Sequence, residues 1–567
     1  MIMKNLEKIF YVLLAGLILA SCEDFLDTES YTKKNTGNFP QNQSDAEQMI
    51  NGIYSCLNKI NENPMSTSYM IAECAADDRF GGGGTGRSDK QGYDHLMRIN
   101  DTQMDALWQI RYAGIYRANF ALETLDNVMD WETEDAKNVA KAEAYFLRAY
   151  FYFDLSQIFG EVPLTLSTIS ANLPKSPAYA TYAQIASDLK EAINLFPAQK
   201  YAEVKSGRIT KWAAEALMAR VFLFYTGYYE KDELPLPDGS SVSKQEVVMW
   251  LEDCMANSGY DLLDDFRSLW PYCNEYTARD YPYARDNNLR WAGDGNEEVL
   301  FAVKCSNMAS WNTTTGYSNQ FCLHNGFPAP NGEESSYPFG IGWGAGPVNA
   351  QLWSEWEADE PNDVRREGSI IDIAKELPNF DSESFRNWME ATGYWQKKYI
   401  AINCHDSEGK LTLYSCLVYG TNYDFQLAHT QDLVIIRFAD VLLMHSELTG
   451  TDTGLNRVRE RAGLEPISYS LEALKKERRY ELAFEGIRWF DLMRWHDAAD
   501  ALEAQVGSPI ISMEEPAQMK DFGVGYRQRY EQTGGFWQIP RTQIDLSNGV
   551  LTQNAGWDTE DCEYWGW

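Results

Sequence analysis

Residues 477–496 read ERRYELAFEGIRWFDLMRWH, and this stretch has the clearest structural pattern in the chain. Apolar side chains recur in it at steps of three and four residues, the spacing of one helix face. They are Tyr480, Ala483, Phe484, Ile487 and Phe490. Leu482, Trp489 and Met493 widen this face, and no proline interrupts it, although Gly486 in the middle lowers helix propensity. The pattern predicts one helix across 477–496, buried on most sides.

Charged side chains alternate with the apolar residues of this stretch. They are Arg478, Glu481, Glu485, Arg488, Asp491 and Arg494. From Glu485 onward, successive members are three residues apart and within reach of one another on a helix. Unpaired charges beside buried rings would be costly, so we expect ion pairs. The spacing favours a structural ion-pair network; a binding or catalytic carboxylate cluster is the alternative.

The same stretch resembles the signature of the SusD/RagB family, the lipid-anchored nutrient-binding proteins of bacterial outer membranes. Further stretches match the family in family order: 116–119, 142–164, 296–301, 437–444, 455–463 and 538–557. In the last of these, Gln538 and Ala555 stand where the family tends to have prolines. The resemblance implies a helical scaffold, nutrient capture without catalysis, and a partner, a SusC-like TonB-dependent transporter barrel.

The N-terminus has the features of a targeting segment. Lys4 and Lys8 precede the uncharged apolar run 9–20, which is too short to span a bilayer comfortably. Small residues lead directly to Cys22 and resemble the lipobox of bacterial lipoproteins. This predicts a signal peptide at 1–21, lipid attachment at Cys22 and a tether at 22–43; an ordinary secreted protein is the alternative. The resemblance places the protein on the outer membrane, lipid-anchored and facing the cell exterior.

The charge and the cysteines restrict the classes of partner. The formal net charge is -34, which argues against nucleic acid and anionic membrane surfaces and favours neutral or cationic ligands. Besides Cys22, nine cysteines remain, widely spaced and without a CxxC pair. A zinc site is therefore not indicated, and we interpret most of these cysteines as buried small apolar residues.

Paired helical patterns predict a mainly α fold. Helices are expected at 105–129, 135–159, 181–196, 210–229, 434–448 and 455–462. Antiparallel pairs with aromatic and small residues facing each other resemble degenerate tetratricopeptide repeats. We expect one domain over 44–567. Its parts are a helical scaffold at about 44–260 and 427–500, a loop-rich ligand-binding insertion at about 261–426, and an irregular C-terminal segment at about 501–567.

The insertion combines glycine, proline, asparagine and aromatic residues with short strand-like runs such as 298–303. Tryptophans in open polar or glycine-rich surroundings suit stacking on sugar rings. The candidate ligand-binding rings are Trp291, Trp311, Tyr317, Tyr337 and Trp343. The alternative is that they pack irregular loops, and we expect packing for Trp353 and Trp356, which are three residues apart on one helix face.

Asp78 and Arg79 precede four glycines, residues 81–84. Such glycines favour a mobile loop, and the two charges could bind a ligand as a polar clamp. The resemblance supports this position, because family members often place polar ligand contacts in this region. The alternative is a flexible surface loop with a solvated salt bridge.

No GxSxG, HExxH or P-loop motif is present, and histidine spacing does not indicate a metal site. We therefore expect no catalysis, cofactor or metal. The predicted function is capture of an oligomeric nutrient, with a glycan as the preferred ligand, and the resemblance implies its delivery to the transporter. The alternatives are a peptide ligand in the same system, a surface glycoside hydrolase, and a helical-repeat scaffold for protein interaction.

Overall fold

The computed structural model describes residues 39–62, 64–84, 88–98, 101–204, 207–328, 332–381, 388–512, 515–559 and 562–567. The predicted signal peptide, Cys22 and most of the tether lie outside these ranges. None of the described helices has the length and apolar character needed to cross a membrane. The nine cysteines in the described ranges are free thiols, and most are buried, as predicted.

The first part of the scaffold consists of helices that pack on their neighbours in sequence. They are Gln43–Glu62 (α1), Ser68–Ala75 (α2), Ser88–Asp94 (α3), Asp101–Thr124 (α4), Glu134–Phe159 (α5), Ala178–Leu195 (α6), Lys211–Tyr228 (α7) and Lys244–Asn257 (α8). Helix α4 packs on α5, α5 on α6, α6 on α7 and α7 on α8. The four helices predicted in this part are confirmed to within a few residues at each end.

Hydroxyl side chains cap the starts of four of these helices. Thr67, Thr133, Thr210 and Ser243 each accept a hydrogen bond from the backbone N–H three residues further on, at the starts of α2, α5, α7 and α8. These bonds satisfy donors that have no partner within the helix. The helix starts therefore follow from local sequence, and this is why they could be predicted.

The loop-rich region contains only short elements. Its helices are Thr277–Asp280 (α9), Pro282–Asp286 (α10), Gln320–Asn325 (α11), Ala350–Asp359 (α12), Val364–Ser369 (α13), Ile373–Glu376 (α14) and Tyr414–Val418 (α15). As predicted, Trp353 and Trp356 are buried on one helix, α12. The ring of Trp356 stacks on Tyr480, with ring centroids 4.5 Å apart.

The strands of the described chain form antiparallel pairs. They are Leu234–Pro235 (β1) with Ser241–Val242 (β2), Val299–Val303 (β3) with Leu433–Arg437 (β8), Ile370–Asp372 (β4) with Tyr394–Gln396 (β5), Asn403–His405 (β6) with Leu411–Leu413 (β7), and Pro509–Ser512 (β9) with Glu515–Gln518 (β10). The strand predicted at 298–303 is confirmed as β3.

The second part of the scaffold and the C-terminal segment complete the helices. They are Phe438–Thr449 (α16), Thr453–Arg461 (α17), Leu471–Glu481 (α18), Arg488–Arg494 (α19), Ala498–Glu503 (α20), Tyr526–Thr533 (α21) and Arg541–Leu546 (α22). Helix α16 packs on α8 and α19 packs on α7. The two parts of the scaffold thus join into one helical body, the predicted fold class.

The helix predicted at 434–448 is wrong at its start. Residues 433–437 form β8, which pairs with β3, and the helix begins only at Phe438. Residues 434–436 are β-branched and suit a strand. A short apolar run such as this one, however, is compatible with the residue spacing of a helix as well as that of a strand. The partner strand, distant in sequence, decides the conformation.

The single helix predicted across 477–496 is also wrong. It divides into α18 and α19, and the backbone turns between them with positive φ at Phe484 (63°) and Gly486 (72°). The turn is held from outside: the Tyr69 hydroxyl donates to the Phe484 carbonyl at 2.7 Å, and the Gly486 N–H donates to Glu73 Oε1 at 2.8 Å. A Cβ at position 486 would lie 2.6 Å from the Tyr69 ring. Glycine is therefore required here by conformation and by space.

Candidate functional site

The carboxylates of α18 and the following turn form a buried ion-pair network with cations from several segments. The ion pairs, which include two of Glu298 just before β3, are Arg365–Glu477 (2.5 Å), Arg459–Glu477 (3.2 Å), Arg365–Glu481 (3.0 Å), Arg437–Glu485 (2.7 Å), Lys398–Glu485 (2.7 Å), Arg437–Glu298 (2.8 Å) and Arg461–Glu298 (2.9 Å). Arg437 and Arg461 also contact Glu481 closely. We call this group the core network.

The core network is inaccessible to a ligand because all its side chains are buried. Burial alone would raise the pKa of Glu481, but guanidinium groups including those of Arg461 and Arg437 outweigh it and hold that pKa well below its usual range. Glu481 is thus a permanent anion in the interior. The structural ion-pair network predicted from the sequence is confirmed, and the alternative of an open carboxylate site on this segment is not.

Arg79 and Asp78 lie in the interior. Arg79 donates to Asn325 Oδ1 at 3.1 Å, contacts the Ala345 carbonyl closely and pairs with Glu73 at 3.4 Å. Asp78 accepts from Arg479 Nε at 2.6 Å. Both side chains are buried and bonded to protein groups, so neither presents a clamp to a ligand in this structure.

The glycines after Arg79 are also packed rather than open. Gly81 donates to Asp94 Oδ2 at 2.6 Å, Gly82 to Glu390 Oε2 at 3.1 Å, and Gly83 to the Gly344 carbonyl at 3.1 Å. The expected mobile loop is therefore a buried connection between the N-terminal part of the chain and the insertion. The glycine backbone is fixed because its N–H groups find acceptors elsewhere in the chain, and local composition does not reveal these acceptors.

Trp311 is the most exposed candidate ring of the insertion. Its side chain is 62% exposed, and its indole N–H donates to Asp424 Oδ2 at 3.0 Å. The loop that carries it is closed by a backbone hydrogen bond from Ser306 to Tyr317, at 2.8 Å. The ring is thus held at its polar edge while much of its surface stays in water.

Two further exposed rings, Tyr419 and Tyr423, lie beside this loop; they are 40% and 49% exposed. Tyr423 directly precedes Asp424, and its hydroxyl donates to Glu333 Oε1 at 2.8 Å. Asn307 donates to the Tyr419 carbonyl at 3.3 Å, which ties the two loops together. Sequence reasoning missed both tyrosines, although 419–424, YGTNYD, has the same mixture of ring, glycine and amide residues as the loop of Trp311.

We define the aromatic platform as Trp311, Tyr317, Tyr419 and Tyr423. Tyr317 is 38% exposed and belongs to it through the hydrogen bond between its carbonyl and Ser306. The platform lies at the start of α11, where Gln320 Nε2 donates to the Gln426 carbonyl at 2.7 Å. Loops fixed to a scaffold in this way commonly carry binding residues.

The other predicted rings lie elsewhere. Trp343 is 37% exposed and packs on His324 near the far end of α11, with ring centroids 4.6 Å apart. Trp291 is half-buried against the edge of Tyr414, and Tyr337 is half-buried and stacked on His405. Hydrogen bonds therefore link the loops of Trp311 and Tyr317 to those of two unpredicted tyrosines, whereas Trp291, Tyr337 and Trp343 pack on other rings.

Carboxylates dominate the polar contacts of the platform. Asp424 accepts from Trp311 and Glu333 accepts from Tyr423. The Tyr419 hydroxyl lies 3.5 Å from Asp294 Oδ2. Burial raises the pKa of Asp294 to about 8, and Asp432 beside it adds to the shift, so this deeper carboxyl is mostly protonated at neutral pH. The anionic charge at the rings comes from Asp424 and Glu333.

Comparison with known proteins identifies family models that match most of the chain. A family model described as "Starch-binding associating with outer membrane" matches residues 24–223, and the model of the SusD family matches residues 340–557. SusD-like protein P2 of Formosa agariphila is 24% identical over 527 residues, which cover 87% of this chain and 91% of that protein. A SusD-like protein of Bacteroides ovatus is 23% identical over 71% of this chain and 68% of its own length.

Solved structures share the fold. A laminarin-binding SusD-like protein is 24% identical and covers 91% of this chain and 100% of its own, with a TM-score of 0.67. The surface glycan-binding protein A of Bacteroides fluxus is 22% identical, also covers 91% of this chain and 100% of its own, and has a TM-score of 0.70. At these identities the likeness establishes the fold, and the residues that contact a ligand have to be argued from this chain.

Proposed function

Because this chain belongs to the SusD family, we propose that it binds a glycan at the outer cell surface and delivers it to a TonB-dependent transporter. The observation that carries the proposal is the Trp311 side chain, exposed in water and held at its polar edge by Asp424. The names of solved relatives support the ligand class, since two of them refer to laminarin or laminarihexaose.

The platform is suited to a sugar chain rather than a small buried molecule. Flat rings offer apolar faces to the C–H faces of sugar rings, and such contacts need no enclosed pocket. Trp311, Tyr419 and Tyr423 lie on two loops joined by hydrogen bonds, so several rings can contact successive sugar units. Asn307 and Asn312 on the same loop supply amide groups for sugar hydroxyls.

We propose binding without catalysis. A glycosidase needs one carboxyl to transfer a proton and a second to act on the sugar ring or on water. Asp424 and Glu333 instead accept hydrogen bonds from the platform rings. These contacts support a role of the two carboxylates in holding the rings. They weigh against the alternative that the protein is a surface glycoside hydrolase.

A peptide remains the second candidate ligand, and the observation that favours it is the formal net charge of -34. A basic peptide would be attracted by the whole surface, and its affinity would fall steeply with salt. A stacked neutral glycan would be nearly indifferent to salt. Titration calorimetry with an oligolysine peptide and with laminarin at 0.05 and 1 M NaCl therefore separates the two.

For the transporter we propose a docking face on the scaffold, where a groove of about 640 Å³ lies among α4, the loop after α5 and α22. Exposed apolar side chains surround it, among them Tyr116, Ile169 and Leu546. Apolar surface of this kind marks protein contact sites. Ile169→Asp with Leu546→Asp should abolish co-purification of the barrel from native membranes, whereas glycan binding should remain.

Attachment to the membrane is proposed through lipid on Cys22. The first family model, whose description refers to the outer membrane, starts at residue 24, two residues after this cysteine. Several acyl chains on one residue would anchor a domain stably, whereas a single chain would not. Cys22→Ala should shift the protein from the membrane fraction to the soluble fraction; retention in the membrane would contradict the proposal.

The experiment that tests the function is affinity electrophoresis of the full-length protein in mild detergent. Gels would contain laminarin, amylopectin, xyloglucan or galactomannan. We expect retardation by at least one of these glycans and its loss in Trp311→Ala. Trp343→Ala tests the second predicted ring. Absence of retardation by any glycan would overturn the proposal and favour a peptide ligand or a protein-interaction scaffold.

A further inference from the structure

Where the polar group of a platform ring contacts another side chain, that side chain is a carboxyl group. The Trp311 indole N–H donates to Asp424 at 3.0 Å, and the Tyr423 hydroxyl donates to Glu333 at 2.8 Å. In a sugar-binding surface, exposed amide groups could hold the rings equally well. The carboxylates add two negative charges at the ring edges.

Among the described residues, Lys304 lies near the platform but does not neutralise this charge. Lys304 is bonded to the buried Asp432, beneath Tyr419, where it balances the deeper carboxylate. Asp424 and Glu333 are only partly buried, so their charges act on whatever lies on the rings. Like charges brought within about 4 Å of each other repel strongly near a protein surface.

A sugar stacked on Trp311 must pass close to the carboxylates that hold the rings. A uronic acid carboxylate or a sulfate ester on that sugar would then approach Asp424 or Glu333. A neutral sugar carries only hydroxyl groups, which can donate hydrogen bonds to the same carboxylates. The same two side chains thus favour a hydroxyl-rich ligand and disfavour an anionic one.

We propose that Asp424 and Glu333 are specificity-determining residues that restrict the platform to uncharged glycans and exclude uronate-containing and sulfated ones. This rests on the proposed function, because it concerns the same platform. It names the chemical class of the ligand, and it assigns to each carboxylate both the positioning of a ring and the rejection of anions.

The test measures a ratio of affinities. The full-length protein would be titrated with laminarin and with the same laminarin carboxylated at C6, in 0.05 M NaCl. We expect wild type to bind the neutral form at least tenfold more tightly. In Asp424→Asn with Glu333→Gln, the amide oxygens still accept from the rings but the charges are gone. The ratio should fall at least tenfold in this variant.

A matched control changes the charge by the same amount elsewhere. Asp130→Asn with Glu132→Gln alters two exposed acidic residues of the scaffold just before α5 and should leave the ratio as in wild type. Raising the salt to 1 M, where screening acts over about 3 Å, should also lower the wild-type ratio. The whole surface also repels an anionic glycan, so the salt effect should be much smaller in Asp424→Asn with Glu333→Gln than in Asp130→Asn with Glu132→Gln.

The outcomes separate the two proposals. If laminarin does not bind, amylopectin, xyloglucan and galactomannan would be carboxylated and tested in the same way. Wild type that binds a carboxylated glycan as tightly as its neutral form would overturn the charge exclusion and leave glycan capture standing. A ratio unchanged in Asp424→Asn with Glu333→Gln would overturn the assignment to these residues. Failure of every neutral and carboxylated glycan to bind would overturn both proposals.

Discussion

The core network and the aromatic platform both depend on carboxylate side chains, but the carboxylates serve different purposes in the two regions. In the core network, carboxylates of α18 are buried and paired with arginine and lysine from the insertion, β8 and α17. At the platform, carboxylates accept from ring edges and remain partly in water. The comparison shows that the partner and the degree of burial decide whether a carboxylate stabilises the fold or shapes a binding surface.

The two regions should therefore respond differently to mutation. A buried charge that loses its partner is costly, whereas an exposed one is hydrated by water. Substitutions in the core network should lower stability, and they should weaken binding only because less of the protein is folded. Changes at the platform should affect binding and leave stability nearly unchanged.

The largest expected effect is that of Arg437→Met. Arg437 bonds to Glu298 and Glu485 and contacts Glu481, and all four side chains are buried. Removal of the guanidinium leaves these carboxylates short of a cation, so the free energy of unfolding should fall by about 3–5 kcal/mol or more. Urea denaturation followed by circular dichroism would measure the loss.

Arg457→Ala is the control for that prediction. Arg457 pairs with Asp261 at 2.5 Å, but both side chains are well exposed. Its removal should change stability by roughly 0–1 kcal/mol. If Arg437→Met were as mild as this control, the pairing of buried carboxylates in the core network would not be essential to stability.

The second effect is that of Gly486→Ala in the turn between α18 and α19. A left-handed conformation costs about 1–2 kcal/mol for a residue with a Cβ, and the close contact with Tyr69 adds about 1–3 kcal/mol. Gly463→Ala has a similar φ of 77° but no atom within 4 Å of the added Cβ. The difference between the melting curves of the two variants should isolate the contact with Tyr69.

The third effect is on binding. Trp311→Ala should weaken glycan binding more than tenfold, which corresponds to about 1.4 kcal/mol or more, because the stacking surface is lost. Its free energy of unfolding should stay within about 0.5 kcal/mol of wild type, as expected for an exposed side chain. Trp565→Ala is the matched control, since Trp565 is 89% exposed and lies outside the platform. Equal loss of binding in both variants would contradict the platform.

The smallest effect is a pH dependence of stability. Burial raises the pKa of Glu73 to about 7, although Arg79 and the Gly486 N–H lower it part of the way back. In the unfolded chain a glutamate titrates near pH 4.3. The folded state thus binds the proton more tightly, and the stability from Glu73 is complete below about pH 4.3 and is lost as pH rises through 7.

Comparison with Glu73→Gln isolates this contribution, since glutamine does not titrate. Between pH 6 and 7.5, wild type should lose roughly 1 kcal/mol of stability relative to the variant. Melting temperatures at several pH values would measure it. A constant difference between the two proteins would show that Glu73 remains ionised in the folded state.

The sequence predicted those parts of the fold that depend on local signals. Helix α5 follows from its apolar spacing and from Thr133, whose hydroxyl satisfies the helix start. The ion pairing on 477–496 followed from the cost of unpaired charge beside rings. The partners of Glu481, however, come from the insertion, β8 and α17, and no local pattern identifies them.

The errors share one cause, contact between residues distant in sequence. Ile435 and Ile436 form a strand because β3 lies beside them, and residues 477–496 turn because Tyr69 and Glu73 bond to the backbone. Asp78 lies shortly before four glycines, in a stretch with the composition of a loop. Its carboxylate is nevertheless buried and accepts a hydrogen bond from Arg479. Local composition cannot reveal such partners.

For the candidate site, the neighbours of Trp311 predicted an open loop, and the ring is exposed. Whether it binds sugar remains a prediction. Tyr419 and Tyr423 were missed because they become part of a surface only when their loop meets that of Trp311. Two loops more than one hundred residues apart in the numbering form one platform, and such a surface cannot be assembled from sequence order.

The β3–β8 pair returns the chain to the point where it left the scaffold. Val303 and Leu433 are partners in this pair, so residues 304–432 form a closed excursion from one base. The entropy of closing a loop grows only slowly with its length, so excursions of different size can start from the same base. Within this excursion, Arg365 and Lys398 pair with Glu477 and Glu485, which lie outside it. The excursion is thus fastened twice, at its base by the paired strands and along its length by two buried cations.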